Sequence, residues 1–379
     1  MLRGVQPIIA FLVLLCGVAR AGGPAHVAGA SYFDPATKGT PIVWGQGAIN
    51  YYTDQGDLST ILPGPNADAF VAAAFASWTS IPSAAVSATR GGQLAEDVDG
   101  TNLTLTGMPA DILPGANSTP VGIVYDVDGS ITDALLGTGA SGPTYCPNNS
   151  AFGGVDNFGA NAQFVHALII LNGICAQSSP PGRVLGLDWS QADLNVISRN
   201  PAPTAADFAG FPLMHQTDPV SCLPVATCYS NRGAVDPAQP KMDDQAALSR
   251  LYPVTAQNLG SFPGKQIFAQ ATARIHGSVF FTDATGQAGQ PMQGVNVVAR
   301  WIDPATRLPS GAAVVSSISG FLFSGNAGNV ITGYTDSSGL NFDRFGSDDT
   351  ALEGFYDLAG LQIPSGATNA QYQLTVDGG

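Results

Sequence analysis

The chain has 379 residues, of which 11% are charged and 45% hydrophobic, with 46 Gly, 27 Pro and a formal net charge of −14. An acidic balance of this size excludes a nucleic-acid partner, which would want a basic face. So few charges among so many turn formers suit a strand-rich and loop-rich exported protein better than a helical one, and the length accommodates two domains.

The chain opens MLRGVQPIIAFLVLLCGVARAGG, a basic start, an apolar run from Ile8 to Val18 and a small-residue pattern ending at Ala21. This is the make-up of a secretory signal over residues 1–21, cleaved after Ala21. The run is too short to span a bilayer, and no later run approaches the roughly 20 apolar residues needed, so the expected product is secreted with no membrane span. A lipoprotein anchored at Cys16 is the rival, but Leu15 stands where such signals want a small residue. Loss of Arg3 and Arg20 with the signal moves the formal charge from −14 to −16.

PIVWGQGAINYYTD reads as a strand with Trp44 and Ile49 pointing inward. In NADAFVAAAFASWTSIP, Phe70, Val71, Ala74, Phe75 and Trp78 recur at helical spacing, with Asn66 able to cap the start and Pro82 beyond the end; this is a core helix. Residues 84–144 read as strand-rich around GIVYDVDGSITDALLG. FVHALIILN, 164–172, is a continuous apolar run and fits a buried strand. MDDQAALSRLYP reads as a short helix with acids in its first turn and Pro253 after its end. Residues 259–270 serve as a linker, and from 271 onward short alternating strands separated by Gly, Asp, Ser and Pro indicate a β-sandwich. The chain stops at Gly379 directly after a strand, which reads as a fragment of a longer protein.

Four cysteines remain after signal removal: Cys146, Cys175, Cys222 and Cys228. An even number in an exported protein implies two disulfides. Of three pairings, Cys146 with Cys175 and Cys222 with Cys228 each close a local loop. Thiolate zinc binding is the alternative, without the paired CxxC spacing of structural zinc sites.

The early YY strand, the AFASW helix, FVHALIILNG, GLDWSQ, the turn FPLMHQ around Met214 and the closing DDQAALSRLYP occur in this order over about residues 30 to 253. In order and spacing they resemble the metzincin zinc peptidases, most closely matrixin-like secreted bacterial members. ARIHGSV, PMQGVNVVAR and GFYDLAGLQIPSG resemble a carboxypeptidase regulatory-like domain, a transthyretin-type sandwich. The resemblance implies an α+β fold: a metzincin-like zincin domain over 22–258 followed by an all-β sandwich over 271–379.

The family motif, HExxHxxGxxH, uses three histidines to bind zinc and a Glu to polarise the metal-bound water. With Gly186 on the motif glycine, Ser179 and Arg183 fall on the first two histidines, Pro180 on the Glu and Trp189 on the third histidine. Serine is a poor zinc ligand, Arg183 carries a permanent positive charge, Trp189 offers only an N–H donor and Pro180 has no carboxylate. Pro180 and Pro181 would each cost about 3 kcal/mol inside a helix. The motif is degenerate, no catalytic residue is assigned, and Leu185 to Leu187 with Trp189 read as packing surface. No GxSxG elbow offers serine catalysis instead.

A rebuilt zinc site would draw on His166, His215 and Asp188, a two-His, one-carboxylate set; otherwise His166 is a hydrogen-bonded core residue and His215 a turn residue. DVDGSITD sets Asp126, Asp128 and Asp133 around Gly129, a spacing that suits calcium or a plain Asp/Gly turn; a second DVDG at 97–100 favours the turn. Sequons stand at Asn102, Asn117 and Asn148. The expected function is that of a secreted, catalytically inactive metallopeptidase-like protein that binds an extended polypeptide or a cell-surface component. The alternatives are an active zinc endopeptidase with the rebuilt site, a calcium-dependent surface adhesin, and a gene-level or assembly error around Ser179.

Overall fold

The computed structural model describes residues 24–26, 41–159, 161, 163–175, 184–187, 189–215, 239–286, 288–292, 294–320, 334–335, 341–342, 354–363 and 368–377. The expected signal segment 1–21, Ser179, Pro180, Arg183, Asp188, Cys222 and Cys228 lie outside the described residues. The fold is α+β. No helix among the described residues is long and apolar enough to cross a membrane.

A six-stranded sheet organises the first part of the chain. The expected early strand is two: β1 (Val43–Trp44) and β2 (Ala48–Thr53), separated by a turn at Gly45–Gly47. Helix α1 (Gly64–Thr79) crosses from β2 to the parallel β3 (Ser87–Gln93), and β4 (Val121–Asp126) pairs with the other side of β2. β6 (Gln163–Asn172) lies parallel to β4, β1 joins its first two residues, and β5 (Ala151–Gly159) closes the sheet as its antiparallel edge. The main order is β5-β6-β4-β2-β3.

β4 and β6 read as unbroken apolar runs because both faces are covered. Ile123, Tyr125, Ala167 and Leu171 enter one core with Val71, Phe75 and Trp78 of α1; Val124, Leu168 and Ile170 enter a second with Leu94, Leu103, Ile112 and Ile131. The buried stripe of α1 is Ala67, Val71, Phe75 and Trp78, so Phe70 and Ala74 flank it. The helix begins at Gly64, not after Asn66: Pro63 is the N-cap, and Gly64 N donates to Asp57 Oδ1 at 2.7 Å. The expected strand-rich stretch contains a helix, α2 (Ser130–Leu136), because Asp126 at the end of β4 accepts from Ile131 N and Thr132 N and so caps its first turn.

Cys146 and Cys175 form a disulfide that pins the 143–149 turns beneath the end of β6. The bridge closes a loop with a sequence separation of 29. Replacing both cysteines by serine is expected to lower stability by about 3–4 kcal/mol through the larger unfolded ensemble, measured by urea denaturation. A loss below about 1 kcal/mol would contradict the bridge.

Beyond α3 (Ala205–Gly210) and α4 (Met242–Leu251), the remaining described strands pair antiparallel. They are β7 (Thr272–Ser278), β8 (Phe280–Thr282), β9 (Ala288–Pro291), β10 (Asn296–Ile302), β11 (Pro309–Ile318), β12 (Tyr334–Thr335), β13 (Asn341–Phe342), β14 (Phe355–Gln362) and β15 (Tyr372–Asp377). A sheet β11-β10-β15 and a pair β14-β7 share a core of Val297, Ala299, Val315, Leu358 and Leu361. Met242 and Ala246 of α4 complete that core, while Ala247, Leu248 and Leu251 of the same helix belong to the first core. One helix is therefore shared by both units.

Segment 259–270 is fastened along its length. Lys265 Nζ donates to the carbonyls of Thr79 and Ile81 at the C-terminus of α1, and Gln266 N donates to Pro82 O. The units also approach backbone to backbone where α3 ends: a Cβ on Gly210 would lie 1.6 Å from Gly311 O, so only glycine fits there.

Candidate functional site

Residues 184–187 and 189–191, the described part of the stretch containing GLDWSQ, cross the first core beside β1 and α4. Val184, Leu185 and Leu187 are fully buried, and Trp189 is partly buried against the same cluster. Their backbone is held by side chains from distant elements: Trp44 Nε1 donates to Val184 O at 2.7 Å, and Tyr252 Oη donates to Leu185 O at 2.9 Å. Gly186 has φ +84°, and a Cβ there would stand 2.5 Å from the Phe164 ring, so glycine is required on both counts.

Residues 24–26 join this stretch. Ala25 N donates to Gly186 O, and Pro24 bridges to Leu187. His26 is docked: its carbonyl accepts from Ile42 N, and its ring centroid lies 4.9 Å from that of Phe158.

After Trp189 the chain meets the turn around Met214. Ser190 N donates to Met214 O at 2.5 Å. The turn is held by Asp244, whose carboxylate accepts from Leu213 N at 2.8 Å, Met214 N at 2.9 Å and Lys241 N at 2.8 Å. Its neighbour Asp243 accepts from Ser190 Oγ on one side and from Ser316 N at 2.7 Å and Ser316 Oγ at 3.1 Å on the other. Both acids are buried, and burial raises both carboxyls above their usual range. The sequence marks them as first-turn acids of a helix and gives no sign that they organise the site.

The histidines proposed for a rebuilt zinc site have separate partners. His166 is buried in β6 with Nδ1 2.6 Å from Asp156 Oδ1 of β5, and the ring of His215 stacks on Phe211 at 4.8 Å. Among the described residues, no group of three His, Cys, Asp or Glu side chains is placed to hold a metal ion. Asp188, the third member of that set, lies outside the described residues.

The three acids of the DVDGSITD turn are bound to the chain itself. Asp126 is buried and accepts from Ile131 N, Thr132 N and Thr132 Oγ1; Asp128 accepts from Ser130 N; Asp133 accepts from Gly139 N and Ser141 N. Donation by backbone N–H and hydroxyl groups lowers the carboxyls of Asp128 and Asp133, whereas burial raises Asp126. The second DVDG turn packs against the first, with Gly100 lying against Ser130. Between the two turns sits Asp54, missed by the sequence reading. It accepts from Gln55 N, Val98 N and Tyr125 N, and burial pushes it up to about 6.

A shallow apolar crevice runs between α1 and the sheet, lined by Phe70, Val71, Phe75, Ile123, Ile169 and Leu171. Beside it Arg90 pairs with Asp68 at 2.7 Å and donates to Thr53 Oγ1, while Tyr125 Oη donates to Asp68 Oδ1. The arrangement offers apolar surface, backbone groups at the sheet edge and a few fixed charges. No protein-family model, curated protein or solved structure matches the chain.

Proposed function

We propose that this is an exported protein built on a metzincin-like zincin domain with a degenerate zinc site and a carboxypeptidase regulatory-like sandwich, and that it binds an extended polypeptide or a cell-surface component without hydrolysing it. The observation that carries this reading is the make-up of the 184–191 stretch. Its glycine bend and its pairing with the Met214 turn accord with the order of pieces in the resemblance, while the side chains it commits are Val184, Leu185, Leu187, Trp189 and Ser190, which pack or donate hydrogen bonds. The sheet order supports it too: five parallel strands, with helix α1 crossing over between two of them, and a single antiparallel edge.

That edge gives the binding reading its geometry. Among the described residues β5 pairs only with β6, so an extended peptide added beside it would use main-chain hydrogen bonds for affinity and side-chain pockets for selectivity.

Elemental analysis of the purified protein is expected to find no stoichiometric zinc, and casein is expected to remain intact. A stoichiometric, chelator-removable zinc ion would overturn the inactive reading. Titration with a panel of extended peptides, followed by amide exchange, is expected to protect residues of β5. Saturating peptide that leaves β5 exchange unchanged would remove strand addition as the mode of binding.

A further inference from the structure

Residues 151–155 of β5 pair with β6 without a break, from Ala151 opposite Leu171 to Val155 opposite Ala167. The pairing then shifts at Asp156, whose carboxylate turns in to His166, and Asn157 Oδ1 accepts from Phe158 N. A bulge interrupts regular pairing on the outer side of an edge strand as well, so the usable edge is AFGGV. It carries no charged side chain.

Gly153 stands opposite Ile169 in this run. Its φ is +113°, and a Cβ there would lie 2.2 Å from Leu168 O, so no other residue fits. Ala151 and Val155, its neighbours on that face, pack on the core that α1 covers. Ile169 is partly exposed, while Ala167 and Leu171 on either side of it are buried. Ile169 also lines the apolar crevice with Phe70, Val71, Ala74, Phe75 and Leu171. The crevice is therefore open at Ile169, and the position between Ile169 and the sheet edge has no side chain to close it.

We propose, on the reading that β5 adds a strand, that this gap selects the peptide: a segment uncharged along residues 151–155 of β5 lays one large apolar side chain, above all an aromatic one, over Gly153 and into the crevice. A glycine in a strand leaves a hole in the face of the sheet, and an aromatic ring from the next strand restores the missing packing. Strands lie about 4.8 Å apart, so a ring leaning across the glycine meets Ile169. Side chains alternate along a strand, so one residue of the peptide enters the gap and its two neighbours point to the other face. The crevice lining is uncharged, and Asp68 and Arg90 beside it are paired with each other. A charged side chain would enter without a partner and is disfavoured.

Two peptides, Lys-Thr-Val-X-Val-Thr-Lys with X as Phe or Ala, are titrated into the full chain, and amide exchange of residues 151–155 locates them. The Phe peptide is expected to bind about tenfold more tightly than the Ala peptide, with β5 protected. Equal affinities with β5 protected would overturn the selecting gap and leave strand addition standing. No protection of β5 by either peptide would remove both. Ala74→Phe, which fills the crevice from α1, is expected to erase most of the preference for Phe, and an unchanged preference in that variant would count against the crevice as the seat of the ring. Whether or not the variant folds, benzoylphenylalanine at X is expected to photolabel Phe70, Ile169 or Leu171 in the native chain. Labelling confined to the other face of the sheet, around Phe152, would overturn the proposal.

Discussion

Asp244→Ala is expected to destabilise the protein by about 3–5 kcal/mol, because it orphans three backbone donors at once. The N–H groups of Leu213, Met214 and Lys241 all end on this carboxylate, and Met214 and Lys241 are buried, so water cannot replace it without opening the core. Asp244→Asn separates hydrogen bonding from volume. Its amide keeps one acceptor oxygen but turns an N–H₂ toward donors, so it is expected to cost nearly as much as alanine. Denaturant midpoints measure both. A loss below about 1 kcal/mol for either variant would mean that the Met214 turn is held by packing alone.

The second large effect belongs to Asp357. Its carboxylate is 2.7 Å from Arg250 Nη2 and 2.6 Å from Arg274 Nε, and its carbonyl accepts from Arg250 Nη1 at 3.0 Å. The Arg250 side chain is 11% exposed, and desolvation pushes its guanidinium down to about 10. Asp357→Ala leaves that guanidinium in the junction without its carboxylate and is expected to cost about 3–5 kcal/mol. Arg274 is more than half exposed and contributes little of this. The paired replacement Arg250→Met with Asp357→Leu is expected to recover most of the loss, since removing both charges also removes their desolvation cost. A double variant no more stable than Asp357→Ala would argue that the pair is a net source of stability.

Both sites lie at α4, where a reading by pattern and a reading by contact part company. The helix itself is legible from MDDQAALSRLYP: its acids stand in the first turn, and Met242–Leu251 is helical with Tyr252 and Pro253 beyond. Its environment is not. First-turn acids ordinarily complement the helix dipole in water, but Asp243 and Asp244 are buried because a second unit covers the other face of the helix. Periodicity reports which face of one helix is apolar. It cannot report that two cores meet on either side.

The sequence by itself determined the α+β character, the core helix with Phe75 and Trp78 and the buried strand 164–172, and it left Cys146–Cys175 as one of three pairings among which the structure chose. The first three depend on local spacing and on runs of apolar residues, both of which are written along the chain. The tertiary structure decided the rest: α2 in place of a strand, the hub at Asp243 and Asp244, Asp54 between the acid turns, and 24–26 docked on Gly186. Apart from α2, whose cap Asp126 lies five and six residues before the N–H groups it holds, each of these joins groups tens of residues apart through a hydrogen bond. A carboxylate with three backbone donors looks in sequence like any surface aspartate, because it is burial, set by the whole fold, that makes those donors worth holding.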